Sequence, residues 1–223
     1  MTALPDPLRR MIVESMATMK ADLHYHLPPL RRLAIYRSLN PRANPDAPVL
    51  ARGWLAIITA RRVLPVWHMY CPVSVEDNQL PDRLLSIARN AISGTIDLER
   101  AWHEANDLWF VAGSLGEPAI QRRTDVPNKA FYACDTALKA VHEVFWIEFL
   151  QKATEIEHTS DEYLQDWERD SAASAMIAEA GGADAGSLDL RKRHDFWEWW
   201  LSQAVPAAWV RSQEPVTKSI PHS

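Results

Sequence analysis

Apolar residues of this chain recur at intervals of three and four positions, and this spacing constrains its fold more than any other feature. Near the start, Leu8, Ile12, Met16, Met19 and Leu23 follow the pattern, which places them on one face of an amphipathic helix. The same period returns along most of the chain, and no long run of alternating β-branched residues appears. The pattern therefore predicts an all-α protein of about seven or eight helices.

Turn residues and helix caps divide this pattern. Thr95, Ser160 and Ser187 each precede an apolar-periodic run, as N-cap residues do. The segments "NPRANPDAP", "GSLGEP" and "GGADAGS" are rich in turn formers and predict breaks. The predicted helices cover residues 7–24, 28–38, 48–64, 80–92, 96–112, 127–151, 160–180 and 187–204.

The length and composition predict a single globular domain. A chain of 223 residues can bury a substantial core, and 47% hydrophobic with 24% charged residues is ordinary for a soluble protein. We expect this domain to span residues 1–212, and the tail at 213–223 to be disordered. The two cysteines, Cys71 and Cys134, form no disulfide framework, and no apolar run suits a bilayer. These features predict a cytoplasmic protein with free thiols and no membrane association.

The stretch "TARRVLPVWHMYCP" places a charge and a proline in an apolar run. Pro65 lacks an N–H group, so we expect the helix to end or bend there. Arg61 falls in the middle of the apolar face and has two possible environments. Its guanidinium could pair with a buried carboxylate such as Glu148, or it could extend along the face to reach water. His68 and Cys71 have no third catalytic member nearby, so the stretch is interpreted as scaffold.

Two strings in the chain resemble a known family. They are "ARGWLAIITARRVLPVW" and "LPDRLLSIARNAISGTIDLERAWHEA". With "PNKAFYACDTALKAV", they are similar to the bacterial immunity proteins of the fifth numbered family in polymorphic toxin systems, over roughly residues 50–145. Arg62 to Pro65 match the basic-Val-Leu-Pro element, and Gly94 and Ile96 match the turn. The resemblance implies a family-like core at 48–151 in an all-helical, non-enzymatic protein that binds and neutralises a cognate toxin.

The charge of the chain is segregated along its length. Residues 1–65 hold ten Lys and Arg against four Asp and Glu, a net of +6, whereas residues 155–223 hold six against thirteen, a net of −7. An acidic half disfavours direct nucleic-acid binding and suits a toxin with a basic surface. The segment "EIEHTSDEYLQDWERD" contains seven acids and one base, and it is either a solvated face or a partner surface. Its candidate binding residues are Glu155, Glu157, Asp161, Glu162 and Asp166.

The segment "HDFWEWWLSQA" adds one aromatic candidate. A helical projection places Phe196, Trp197 and Trp200 on the core side, and Trp199 on the polar side. An exposed tryptophan on a charged face is a typical interface anchor. Trp199 could equally cover the tail or pack on another helix.

Two alternatives to toxin binding remain open at this point. A helical-bundle metalloenzyme could use His103, Asp107, His142 and Glu143, but neither His-Glu pair has the i, i+4 histidine spacing of a zinc helix. We therefore expect no cofactor and no metal. The other alternative is a structural interaction protein without a toxin partner. The sequence leaves the oligomeric state and the identity of the toxin open.

Overall fold

The computed structural model describes residues 3–39, 47–70, 78–122, 125–153, 170–182 and 188–214. Within these ranges the chain forms eight helical segments and no strand, so the predicted all-α fold is confirmed. The first seven segments are α1 (Asp6–Ala21), α2 (Pro29–Ser38), α3 (Ala47–Tyr70), α4 (Leu80–Ile92), α5 (Leu98–Arg122), α6 (Asp125–Ala153) and α7 (Ser171–Ala180). The eighth, α8, comprises an α-helical part Leu190–Trp199, a π-helical turn Trp200–Ala204 and a second α-helical part Val205–Ser212.

Helix α3 lies at the centre of the fold and packs against α4, α6, α7 and α8. Helix α6 is its main neighbour and also contacts α4, α5 and α7. One hydrophobic cluster of buried side chains extends from Leu8 in α1 to Trp209 in α8. The single domain at 1–212 remains a prediction.

Gly53 permits the close approach of three helices. A Cβ atom at this position would lie 2.6 Å from Cδ1 of Ile92 in α4 and 2.9 Å from Cγ2 of Val144 in α6. Such distances are shorter than van der Waals contact, so a larger residue would force the Ile92 and Val144 side chains to move. The glycine therefore leaves room for these side chains between α3, α4 and α6.

Aspartate residues cap three of the described helices. Asp97, Asp170 and Asp189 accept hydrogen bonds from the first turns of α5, α7 and α8. Thr95 instead closes the preceding turn, because its backbone N–H and its hydroxyl both donate to the carbonyl of Asn90. The helix predicted from residue 160 begins at Ser171 in the described chain, since Asp170 has an extended backbone. Ser160 and Ser187 lie outside the described residues.

Two helices are longer than predicted, and at Pro65 the prediction allowed either an end or a bend. Helix α3 continues through Pro65 to Tyr70, and α5 continues through the predicted "GSLGEP" break to Arg122. Proline and glycine weaken a helix locally, at about 3 and about 1 kcal/mol respectively. Tertiary contacts can outweigh such a penalty, and Val63, Leu64 and Trp67 around Pro65 are all buried. Pro65 itself is exposed.

The last helix continues beyond its predicted end at Ala204. The N–H of Val205 donates to the carbonyl of Trp200, an i to i−5 bond that defines the π-helical turn. This turn precedes Pro206, which occupies the first turn of the following α-helical part, where its missing N–H is tolerated. The predicted core side is confirmed, because the following residues are buried: Phe196, Trp197, Trp200, Leu201 and Ala204.

Candidate interaction surfaces

The predicted acidic site lies outside the described part of the chain. This holds for all five of its members, Glu155, Glu157, Asp161, Glu162 and Asp166, whose role stays a prediction. Asp170, the last acid of the same segment, is described. Its position shows how one end of the segment joins the fold.

Asp170 is buried and belongs to the core. Its Oδ2 atom lies 2.8 Å from Nε of Arg32 in α2, and both side chains are 3% exposed. Its Oδ1 atom accepts the N–H of Ala173 at 2.7 Å and so caps α7. Arg32 also donates to the carbonyl of Leu27 at 2.7 Å. With these partners, Asp170 holds α2 to α7 and presents no charge to solvent.

Glu143 of α6 lies beside this pair. Its Oε1 atom accepts the N–H of Ser171 at 2.8 Å. Burial, and then the charge of Asp170, raise the pKa of Glu143 to about 7. The nearby hydroxyl of Tyr36 acts in the opposite direction by hydrogen bonding. The Glu143 carboxyl group therefore keeps its proton to a higher pH than a carboxyl group in solution does.

Lys139, Asp135 and Ser174 form a second polar cluster between α6 and α7. The Lys139 ammonium lies 2.8 Å from Asp135 and 2.6 Å from the Ser174 hydroxyl, which donates to Asp135 at 2.8 Å. A lysine beside a serine could activate a nucleophile. However, Ser174 is only 1% exposed, so a substrate has no access to its oxygen. The cluster is best explained as a structural link between the two helices.

The four residues of the metal alternative do not form a site. His142 stacks on Trp102 with ring centroids 4.6 Å apart, and its burial lowers its pKa to about 4. His103 is exposed. Among the residues that the structure describes, no group of three or more His, Cys, Asp or Glu side chains could hold a metal ion. Cys134 is buried, and Cys71 lies outside the described ranges.

Trp199 is half-buried and packs under an arginine. The Cζ atom of Arg62 in α3 lies 4.3 Å from the Trp199 ring centroid, within cation–π range. Arg62 also makes two bonds of 2.6 Å to the carboxylate of Glu179 in α7. Three helices thus meet at a partly exposed patch of arginine, glutamate and tryptophan. The sequence analysis missed Glu179, although it is the one charged residue in the apolar α7.

An open groove lies between α4 and α5. Its volume is about 660 Å³, and its walls carry three acids, Asp82, Glu104 and Asp107, against one base, Arg83. Ile87 and Leu108 supply apolar lining. The sequence analysis considered Asp107 only as a possible metal ligand, and it could not place α4 opposite it. The groove is a second surface with acidic character.

Arg61 is exposed, as the alternative in which its guanidinium reaches water requires. Burial of part of its side chain, and then the charges of Arg89 and Arg211, lower its pKa. The side chain of Glu148, its proposed partner, lies outside what the structure describes. Arg61 therefore has two other arginines as its charged neighbours within the described chain.

The described part of the chain is all-helical and carries partly exposed charged and aromatic side chains. A family model described as Immunity protein Imm5 matches residues 4–207, and the chain belongs to this family. The match extends well beyond the resemblance at residues 50–145. None of the curated proteins matches the chain. Among the described residues, no helix is long and apolar enough to cross a membrane.

Proposed function

We propose that this protein binds and neutralises a cognate bacterial toxin in the cytoplasm, without catalysing a reaction itself. The observation that carries the proposal is membership of the immunity protein family over most of the chain.

The chemistry of the partner follows from charge. Residues 155–223 have a net charge of −7, and the groove between α4 and α5 carries three acids against one base. Toxins that attack nucleic acid need basic surfaces to hold phosphates. An acidic inhibitor would attract such a toxin at long range and compete for that surface. We therefore propose a toxin with a basic surface.

We assign two parts to the binding surface. The acidic cluster, Glu155, Glu157, Asp161, Glu162 and Asp166, would steer the partner during approach. Trp199 would anchor it after docking, since aromatic side chains at an interface slow dissociation when they become desolvated. Its contact with Arg62 supports this role by holding the ring in one orientation.

The test is the binding kinetics of the purified chain with the toxin encoded next to its gene. Changing the acidic cluster to Gln and Asn should slow association by about tenfold or more at low salt and flatten the salt dependence. In the same measurements, Trp199→Ala should speed dissociation by about thirtyfold, equivalent to about 2 kcal/mol, without changing the salt slope.

A matched control separates local charge from net charge. It removes five exposed acids elsewhere, namely Asp6, Glu14, Glu99, Asp195 and Glu214. This control should affect association much less than the cluster variant. Equal effects would show that only net charge matters. If neither the cluster variant nor Trp199→Ala alters the kinetics, the toxin docks elsewhere, and absence of any binding would contradict the immunity role.

A further inference from the structure

Three exposed arginines lie on helix α3 and on two helices that pack against it. Arg61 of α3 and Arg89 of α4 are exposed, as is Arg211 of α8. Helices α4 and α8 both pack on α3, and the charges of Arg89 and Arg211 both act on Arg61. The three lie 28 and 122 residues apart along the chain, so the fold and not a local basic run brings them together. We call these three residues the arginine surface.

The charges of this surface are poorly neutralised within the described chain. Among those residues, neither Arg61 nor Arg89 has a carboxylate within ion-pair distance, and Arg211 pairs with Glu214 at 3.0 Å. Like charges repel, so a bound anion would lower the electrostatic energy of this surface. Among the described residues, its three guanidinium groups make one ion pair, that of Arg211 with Glu214.

Two of the three guanidinium groups are held in place before any ligand arrives. Arg211 lies over the ring of Trp54, with its Cζ atom 5.8 Å from the centroid. Arg89 donates to the Ser86 hydroxyl at 3.1 Å and to the carbonyl of Leu85 at 3.4 Å. Side chains that are already oriented lose less conformational entropy on binding. This arrangement is more typical of a surface that binds a ligand than of one that contacts only water.

Apolar side chains adjoin the arginine surface. Trp54 and Ile58 are half-buried and lie seven and three residues before Arg61, on the same face of α3. Val210, next to Arg211, is 43% exposed. Guanidinium groups beside an indole ring and aliphatic side chains are typical of protein-binding surfaces, where arginine and tryptophan are enriched.

We propose that the arginine surface binds an acidic, carboxylate-bearing segment of a partner protein. The planar guanidinium group matches a carboxylate with two parallel hydrogen bonds. A nucleic acid fits less well, since the half-buried Trp54 and the exposed Val210 beside the arginines are typical of protein-binding surfaces. The proposal goes beyond the toxin surface proposed above, because it concerns the opposite charge and another set of residues.

The test uses a hexaglutamate peptide and the full-length chain at about 20 mM salt, where screening is weak. Amide chemical shifts should change around Arg61, Arg89 and Val210, and should saturate with increasing peptide. Replacing all three arginines with glutamine should weaken binding by about tenfold or more, because charge-assisted hydrogen bonds are lost. Replacing them with lysine should restore part of the affinity, since charge remains without the planar fork.

A matched control replaces three other exposed arginines, Arg10, Arg37 and Arg191, with glutamine. It makes the same change in net charge and should leave peptide binding nearly unchanged. The same weakening in both triple variants, or no binding by the unaltered chain, would overturn the proposal. Tighter binding of hexathymidylate than of the peptide at these residues would assign the surface to nucleic acid instead. None of these outcomes depends on the toxin.

Discussion

Helix α7 carries an arginine–carboxylate pair at each end, and the two pairs differ in burial. At its N-terminus, Asp170 pairs with Arg32 at 2.8 Å, and both side chains are 3% exposed. Near its C-terminus, Glu179 pairs with Arg62 at 2.6 Å, with side chains 22% and 26% exposed. The same chemical groups therefore join α7 to α2 in the core and to α3 near the surface.

The comparison shows that environment, more than bond length, sets the role of an ion pair. A buried charge has lost its hydration, so its partner becomes indispensable once the pair has formed. A partly exposed charge keeps water as a substitute partner. We therefore expect the Arg32–Asp170 pair to be critical for folding, and the Arg62–Glu179 pair to contribute little to stability while shaping the surface around Trp199.

The largest expected effect is at the buried pair. Asp170→Ala should lower the free energy of unfolding by about 3–5 kcal/mol, because it removes the Asp170 carboxylate from a guanidinium that stays buried. It also removes the N-cap of α7, which typically adds about 1 kcal/mol. Urea denaturation followed by circular dichroism measures the loss.

Two further variants separate the charge from the cap. Asp170→Asn removes the charge but keeps an oxygen that can accept the Ala173 N–H. The decrease in unfolding free energy that this variant shows is therefore due to the charge. A double variant, Arg32→Met with Asp170→Asn, should recover part of the stability, since both charges of the Arg32–Asp170 pair are then absent. If Asp170→Ala costs less than about 1 kcal/mol, the pair behaves like an exposed one and the comparison fails.

Close to the buried pair, α6 carries His142 and Glu143, whose pKa shifts make the stability depend on pH in opposite directions. Glu143 has its pKa raised from 4.5 to about 7, so the folded protein keeps a proton that the unfolded chain releases. Its contribution to stability is present at low pH and is lost as the pH rises from 4.5 to about 7. His142 has its pKa lowered from 6.5 to about 4, so its contribution increases with pH across that interval.

These two dependences oppose each other between pH 4.5 and 6.5. Glu143→Gln should therefore expose the histidine effect, so that stability rises with pH by up to about 3 kcal/mol. His142→Gln should expose the glutamate effect, with a fall of similar size. Unfolding free energies at several pH values, each compared with the unaltered chain, test both variants. Parallel curves for all three proteins would contradict the assigned pKa shifts.

Sequence reasoning succeeded where local periodicity determines the structure. The core side of α8, with Phe196, Trp197 and Trp200, could be predicted because the helical period places these rings on one face. Helix ends were harder. Pro65 is a strong local signal for a break, yet buried neighbours on both sides of it keep α3 continuous. The competition between local and tertiary effects cannot be read from one segment.

The candidate site was predicted less well, because its contacts join distant parts of the chain. Asp170 lies in an acidic run and gives no local sign that Arg32, 138 residues away, will bury it. Arg62 and Glu179 are 117 residues apart. Trp199 could be identified as the aromatic residue off the core face, but its contact with Arg62 depends on how α3 and α8 pack.

The smallest expected effect is at the exposed end of α7. Arg62→Ala should lower the free energy of unfolding by about 1–2 kcal/mol, combining a partly solvated ion pair with a cation–π contact to Trp199. Glu179→Gln leaves the cation–π contact intact and should cost about half as much. A double-mutant cycle of these two variants, measured by urea denaturation, should give a coupling energy of about 0.5–1 kcal/mol.

Arg62→Lys serves as the charge-preserving control, because it keeps the positive charge but loses the bidentate hydrogen bond to Glu179. A coupling energy as large as about 3 kcal/mol would mean that the Arg62–Glu179 pair stabilises the fold as much as a buried pair does. Partial exposure would then not weaken the ion pair.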